Sequence, residues 1–332
     1  MSRLKICWAG WTGPDMAEIA SGILPFDPDP QLYILGSGMV RDEQAYYLGH
    51  SRKVAYYTDA DRFFSDIANG GYDVLIHNSY AYSVGHRPEI HPLADSAAVI
   101  TEDPRWKSIA AFKVLHEGES FTQFEYYKGI IDRFDGVVTY NRKLKDLCDS
   151  LKVPSHQTCI CCPAGLRDQG LERDVDVSYT GSNLGVGYRG MIKGVLQSLP
   201  DKYNIAIHEG AFSGLTVDKY LELICRSKIQ QCTHSNPNGE LFPMALKNRE
   251  GKALLCGAMP ICEIYSEADV YLEPGKEKVV FRSTDELIDM LLHYLENEDD
   301  RKAIVEAGQK KIREKFTCDI LFRDAFSLFG LL

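Results

Sequence analysis

The sequence predicts an α/β protein built from two doubly wound lobes with a cleft between them. Three observations carry this. The chain of 332 residues is too long for one ordinary core and fits two domains. Short apolar runs that end in turn residues alternate with helix-patterned stretches, the signature of a parallel sheet with crossover helices. The series then starts again near Val175.

In the first half, the strands are expected at Leu4–Ala9, Leu32–Leu35, Val54–Tyr57, Val74–His77, Ala97–Thr101 and Gly136–Thr139. Each is apolar and runs into glycine, asparagine, serine or an acidic residue. Thr58-Asp59 caps a helix over Ala60–Asn69, and Asn141 precedes a helix over Arg142–Leu151. In the second half, strands are expected at Val175–Tyr179, Asn204–His208, Lys228–Cys232, Pro260–Glu263 and Val279–Phe281. Helices fall at Tyr188–Leu199, Asp218–Cys225, Arg249–Leu255, Thr284–Leu295 and Asp299–Lys315, with Gly257 ending the third of these. The domains are expected at 1–165 and 175–315, joined by a hinge at 163–174. A tail at 316–332 is expected to pack back on the N-terminal lobe.

Composition narrows the function classes. Lys plus Arg is 37 and Asp plus Glu is 47, a net charge of −10. An even acidic balance disfavours a protein that coats nucleic acid or anionic membrane. Hydrophobic content of 45% with 25% charged residues belongs to a folded globular chain. The N-terminus runs straight into a strand, and no stretch approaches the ~18 apolar residues of a membrane span. The expected location is therefore the cytoplasm, where the 10 cysteines are reduced thiols. Cys159-Ile160-Cys161-Cys162 is the one tight cluster, and it lacks a second ligand pair at zinc spacing, so no metal site is expected.

In doubly wound sheets ligands bind where loops and helix N-termini converge at the carboxyl ends of the strands. That rule selects the candidate residues. On the second lobe they are Gly181-Ser182, where glycine allows close backbone approach to a phosphate, then Arg189, Lys228, Arg249 and Lys252. The irregular stretch Thr233–Lys247, with Asn236-Pro237-Asn238-Gly239, has the character of a lid. On the first lobe they are Gly10, Trp11, Thr12 and Gly13, then His77, Asn78, Tyr80 and Tyr82, then Asp103. Asp103 or His77 is the candidate general base. The competing role for Asp103 is a helix cap before Pro104, and for His77 a satisfied core histidine.

Five elements in order give a finer resemblance. They are Asp176-Val177-Ser178-Tyr179-Thr180-Gly181-Ser182 with Tyr188-Arg189; Ile205 to Gly210; Ser227-Lys228-Ile229; Arg249 to Ala258; and Tyr294 to Glu298 with Arg301, Gly308 and Phe316-Thr317. This series resembles the CgeB-type spore-maturation glycosyltransferases, a branch of the GT-B, group-1-like transferases with two Rossmann-like lobes. The resemblance implies a nucleotide-sugar donor, UDP-linked by preference, on the C-terminal lobe and an acceptor on the N-terminal lobe. It implies donor contacts from Gly181, Ser182, Arg189, Glu209, Gly210, Lys228, Asn236, Arg249 and Lys252. Acceptor contacts would come from Gly10, Trp11, Thr12, Gly13, Asn78, Tyr80 and Tyr82. Transfer would be metal-independent and retaining, with no cofactor beyond the sugar nucleotide. The acceptor class stays open among glycan, small molecule, protein and nucleic acid. One departure stands out: the helix of such transferases carries a Glu toward the ribose, and this chain has Lys252 there, which cannot accept a hydrogen bond from a hydroxyl. An epimerase or hydrolase on the same scaffold, and a catalytically degenerate two-lobed binding protein, are the competing readings.

Overall fold

A computed structural model describes residues 3–10, 19–35, 54–57, 60–79, 100–117, 124–159, 161–181, 187–209, 215–234, 248–265 and 267–332. The chain divides into two compact units, residues 1–158 with 318–332, and residues 159–317.

The first unit is built on seven parallel strands in the order β3-β2-β1-β4-β5-β6-β7. They are β1 (Ile6–Gly10), β2 (Gln31–Leu35), β3 (Val54–Tyr57), β4 (Val74–Ser79), β5 (Phe112–Glu117), β6 (Gly136–Thr139) and β7 (Ser155–Gln157). Helices α1 (Ala60–Gly70), α2 (Pro104–Ser108), α3 (Phe124–Lys128) and α4 (Arg142–Leu151) accompany them. One core joins Cys7, Tyr33, Leu75, Leu115 and Val137 of the sheet to Phe63 and Ile67 of α1 and Trp106 of α2. Another contact set is made by the helix Cys318–Leu328, whose Phe322 and Phe326 meet Trp8, His116 and Phe26 edge-on or tilted. Strands buried on both faces read as apolar runs rather than as alternation, which is why most of them are visible in the sequence.

One strand was expected in the wrong place. Residues 100 and 101 of the Ala97–Thr101 run are helical, and the strand is Phe112–Glu117. Ile100 is still buried in the same core. A short apolar run cannot be assigned to strand or helix by periodicity alone. The true strand is disguised by Lys113, His116 and Glu117. His116 and Glu117 are buried because their neighbours satisfy them: Asn78 and Tyr140 bond His116, and Thr139 bonds Glu117.

The second unit has five parallel strands in the order β12-β11-β10-β8-β9. These are β8 (Val175–Gly181), β9 (Ile205–Glu209), β10 (Ser227–Cys232), β11 (Met259–Glu263) and β12 (Val279–Phe281). The helices are α5 (Gly187–Gln197), α6 (Val217–Arg226), α7 (Asn248–Leu255), α8 (Ala268–Tyr271), α9 (Thr284–Glu296) and α10 (Glu298–Lys315). Val177, Ile229, Ile261 and Phe281 from the sheet pack with Ile192, Leu196, Leu287 and Leu291 from α5 and α9. Residues 163–174 belong to this unit. Arg173 fastens them, donating to the carbonyls of Ser227 at 2.6 Å and Cys256 at 2.9 Å and pairing with Asp168. All ten cysteines are buried, and none forms a disulfide among the described residues.

A close approach fixes how the C-terminal helix seats in the first unit. A Cβ on Gly22 would lie 2.3 Å from the carbonyl oxygen of Cys318, a backbone atom that cannot rotate away. Gly22→Ala is expected to destabilise the first unit by about 1–3 kcal/mol, an overpacking cost. Urea denaturation compared with wild type checks this, and an unchanged midpoint would contradict it.

Candidate functional site

The second unit brings its candidate groups to the carboxyl edge of the sheet. All five strands are parallel, so this edge holds Gly181 of β8, Glu209 of β9, Thr233 and His234 after β10, and Glu263 of β11. Gly181 and Glu209 are register partners there. Arg189 lies in the first turn of α5 and Arg249 in the first turn of α7. Both helices begin near this edge because each follows a strand by one loop.

The two guanidiniums act on one another. Burial lowers the affinity of Arg189 for its proton, and Arg249 adds to the effect, while Tyr179 and Glu263 oppose it. Tyr179, the fifth residue of β8, is also pushed up by burial and drawn down by Arg249 and Arg189. Its hydroxyl accepts from Thr233 Oγ1 at 2.9 Å. Tyr188 is raised to about 12 by burial and by Glu263. The edge therefore gathers two cations, one carboxylate and two neutral phenols around the ends of β8, β10 and β11.

Lys252 is the fifth residue of α7, 5% exposed, with its ammonium 5.6 Å from the centre of the Tyr220 ring of α6. It packs α7 against α6 through its stem and a cation–π contact. Lys228 requires a correction as a donor contact. It is the second residue of β10 and pairs with Asp176, the second residue of β8, at 2.6 Å. In a parallel sheet both sit at the amino ends of their strands, at the opposite edge from Arg189 and Arg249. Ser182, Gly210 and Asn236 lie outside the described residues, as does the side chain of Glu209.

In the first unit, Gly10 ends β1 beside Asn78 of β4. Trp11, Thr12, Gly13, Tyr80 and Tyr82 lie outside the described residues. Asn78 is buried, and its amide donates to His116 Nδ1 at 2.7 Å and to the His116 carbonyl at 3.4 Å. An amide nitrogen can only donate, so Nδ1 accepts and Nε2–H is left to donate to the Tyr140 hydroxyl at 2.6 Å. Asn78 thus ties β4 to β5.

The two proposed bases are placed elsewhere. Asp103 does not end a strand. It is the N-cap of α2, accepting from the Arg105 backbone at 2.9 Å and from the Arg105 guanidinium at 2.9 and 2.6 Å. Hydrogen bonds from Arg105 hold its carboxyl at about 2, too acidic to take up protons near neutrality. His77 is 0% exposed, stacked on Phe134 and edge-on to Trp106, each with centroids 6.0 Å apart. It is a core residue with no opening to a substrate among the described residues.

A buried group in the second unit carries no signal in the sequence. His234, Glu250, Cys262, Tyr265 and Lys278 are within 3% of full burial and touch through hydrogen bonds and ring contacts. They come from four separate elements, so no local spacing marks them.

Comparison with known proteins agrees with this architecture. Residues 193–324 match the model of a glycosyl transferase-like family. No curated protein matches the sequence significantly. The solved structure of HepE from Anabaena in complex with UDP is similar, with a TM-score of 0.70 at 11% identity over 99% of this chain and 100% of that chain. HepE with UDP-glucose gives 0.69 at 10% identity over 99% and 100%. Sucrose-phosphate synthase from Thermosynechococcus elongatus gives 0.60 at 10% identity over 99% and 98%. A glycosyltransferase from Rickettsia africae gives 0.65 at 12% identity over 99% and 98%. The fold is that of these proteins: α/β with two parallel sheets, the GT-B class.

Proposed function

We propose that this chain is a glycosyltransferase that takes a sugar from a nucleoside diphosphate donor, with UDP as the nucleotide. The observation that carries the reading is the convergence of Arg189 and Arg249 at the carboxyl edge of the second unit's sheet. Arg189 is half-buried with the Arg249 charge near enough to weaken its hold on a proton, an arrangement suited to a dianion. A diphosphate placed between them would remove the repulsion and make charge-assisted, bidentate hydrogen bonds. The glycosyl transferase-like match over 193–324 covers α7 and the elements around it, and HepE has been seen with UDP and UDP-glucose.

The chemistry follows from the charge. The bond from the sugar's anomeric carbon to the diphosphate oxygen breaks, and its electron pair goes to the diphosphate. A hydroxyl oxygen of the acceptor bonds to that carbon, and its proton passes to the departing diphosphate. Negative charge grows on the leaving group in the transition state, so fixed cations beside it lower the barrier. Arg189 and Arg249 supply that charge from protein side chains, and we propose that transfer proceeds without a divalent metal. Retention of configuration is the stereochemical outcome proposed, read as the anomer formed by NMR of the product. Asp103 and His77 have no part in the reaction, given their places in a cap and in the core.

Thermal unfolding with UDP, GDP, TDP and their sugars tests the donor. UDP and a UDP-sugar are expected to raise the midpoint in proportion to the logarithm of concentration. No shift with any of them, and no release of UDP from a UDP-sugar, would sink the reading.

A further inference from the structure

Glu250 of α7 is anchored at three points while 0% exposed. Its Oε2 accepts from His234 Nε2 at 2.9 Å, and its Oε1 accepts from Lys278 Nζ at 3.2 Å and Cys262 Sγ at 3.3 Å. Lys278, also 0% exposed, donates to the Tyr265 hydroxyl and holds its ammonium 4.4 Å from the centre of that ring. Tyr265 stacks on His234 with centroids 4.0 Å apart and planes 12° from parallel. The His234 backbone donates to Glu263 Oε1 at 2.7 Å. Burial alone would push the Glu250 carboxyl up; Lys278, His234 and the bonds from His234 and Cys262 outweigh it and keep the group ionised.

The donor atoms of His234, Glu250 and Cys262 lie within 4.8 Å of one another, a set that zinc accepts. The charges speak for a different use. Carboxylate and ammonium already cancel, and the carboxylate oxygens accept three hydrogen bonds. A divalent cation would have to displace these beside a buried ammonium.

We propose that Lys278, Glu250 and His234 form a positioning network that fixes the first turn of α7 and so aims Arg249 at Arg189. Its consequence for catalysis rests on the nucleotide-sugar reading above. A helix turns about 100° per residue, so pinning Glu250 against the sheet sets the direction of Arg249 beside it. The anchors come from the end of β10, from β11 and from the segment before β12. Together they hold the helix against rotation and against sliding. A buried ion pair adds little net stability compared with apolar packing, but it selects one arrangement over its neighbours.

The double variant Glu250→Gln/Lys278→Met removes both charges together and strands neither. Amide hydrogen exchange at residues 248–252 is expected to rise about tenfold while the urea midpoint of unfolding stays near wild type, a local loosening. The dissociation constant for UDP is expected to weaken about tenfold in the wild-type background and not to weaken further when Arg249→Ala is already present, the non-additivity of residues acting through one another. Unchanged exchange, or an affinity loss fully additive with Arg249→Ala, would overturn the network. Zinc that co-purifies at one ion per chain and is lost in Cys262→Ser would overturn the charge assignment. If the double variant does not fold, His234→Gln serves, with exchange at 248–252 expected to rise about threefold and no rise counting against the proposal. Should wild type fail to bind UDP, the donor reading falls, while the exchange measurement still decides the network.

Discussion

Between pH 7 and pH 5 the first unit is expected to lose roughly 4 kcal/mol of stability, most of it through two histidines. Burial lowers His77 to about 4 and His116 to about 3, from an ordinary 6.5. An unfolded chain takes a proton on each ring near pH 6.5, and the folded chain refuses it until pH 4 and pH 3. Across that window the unfolded state binds more protons. Stability is complete above pH 6.5, falls as pH drops, and levels out below the folded values. Two protons correspond to about 2.7 kcal/mol per pH unit in the middle of the window. The physical causes differ in detail. His77 sits between Phe134 and Trp106, and neither ring nitrogen has a partner among the described residues. His116 is fully bonded, but in its neutral form, by Asn78 and Tyr140. His77→Leu is therefore expected to halve the slope and to add on the order of 1 kcal/mol at pH 7, since no buried polar atom is left unsatisfied. Urea titrations at half-unit steps of pH measure both. A midpoint that does not move between pH 7 and pH 5 would contradict the assignment of both rings as neutral.

Removing either guanidinium from the second unit's edge is expected to be the largest functional effect. Arg249→Ala and Arg189→Ala should each weaken UDP binding by about 10- to 150-fold, the range for hydrogen bonds to a charged group. Each lysine variant should fall between, because an ammonium keeps the charge and loses the planar fork. Uridine, which has no phosphate, should bind all four variants as it binds wild type. Isothermal titration with UDP and uridine separates these outcomes. Equal losses for uridine and UDP would mean that the two arginines support the fold and do not hold phosphates.

Legibility in the sequence followed the range of the physics. Strands buried on both faces announced themselves, so Val175–Gly181, Met259–Glu263 and most of the first sheet were readable from apolar runs. The helix after Asn141 was readable, and the cap at Asp103 was readable only as the competing role to a base, because a side chain that bonds its own near backbone leaves a local mark. β5 was not, because His116 and Glu117 are tolerated inside only through partners 22 to 38 residues away. Arg189 and Arg249 were named from the ordered series of elements, and both lie in the first turns of their helices. The Glu250 network could not, since Lys278 lies 28 residues from Glu250 and nothing local predicts their meeting. Lys228 was misplaced for a simpler reason: a lysine beside a strand gives no clue to which end of the sheet it occupies unless the strand's direction is applied to it.

The helix Cys318–Leu328 belongs to the first unit, although the whole of the second unit, residues 159–317, is written before it in the chain. Synthesis runs in the opposite order to assembly. The ribosome delivers β1 to β7 early, yet Trp8 and His116 wait for Phe322, which emerges only after the whole of the second unit. The second unit is contiguous and can complete itself during that interval. Closing so long an excursion adds little equilibrium cost, because loop entropy grows only with the logarithm of length. The delay is kinetic: while residues 159–317 are being made, the earlier sheet carries an apolar face that its last helix has yet to cover.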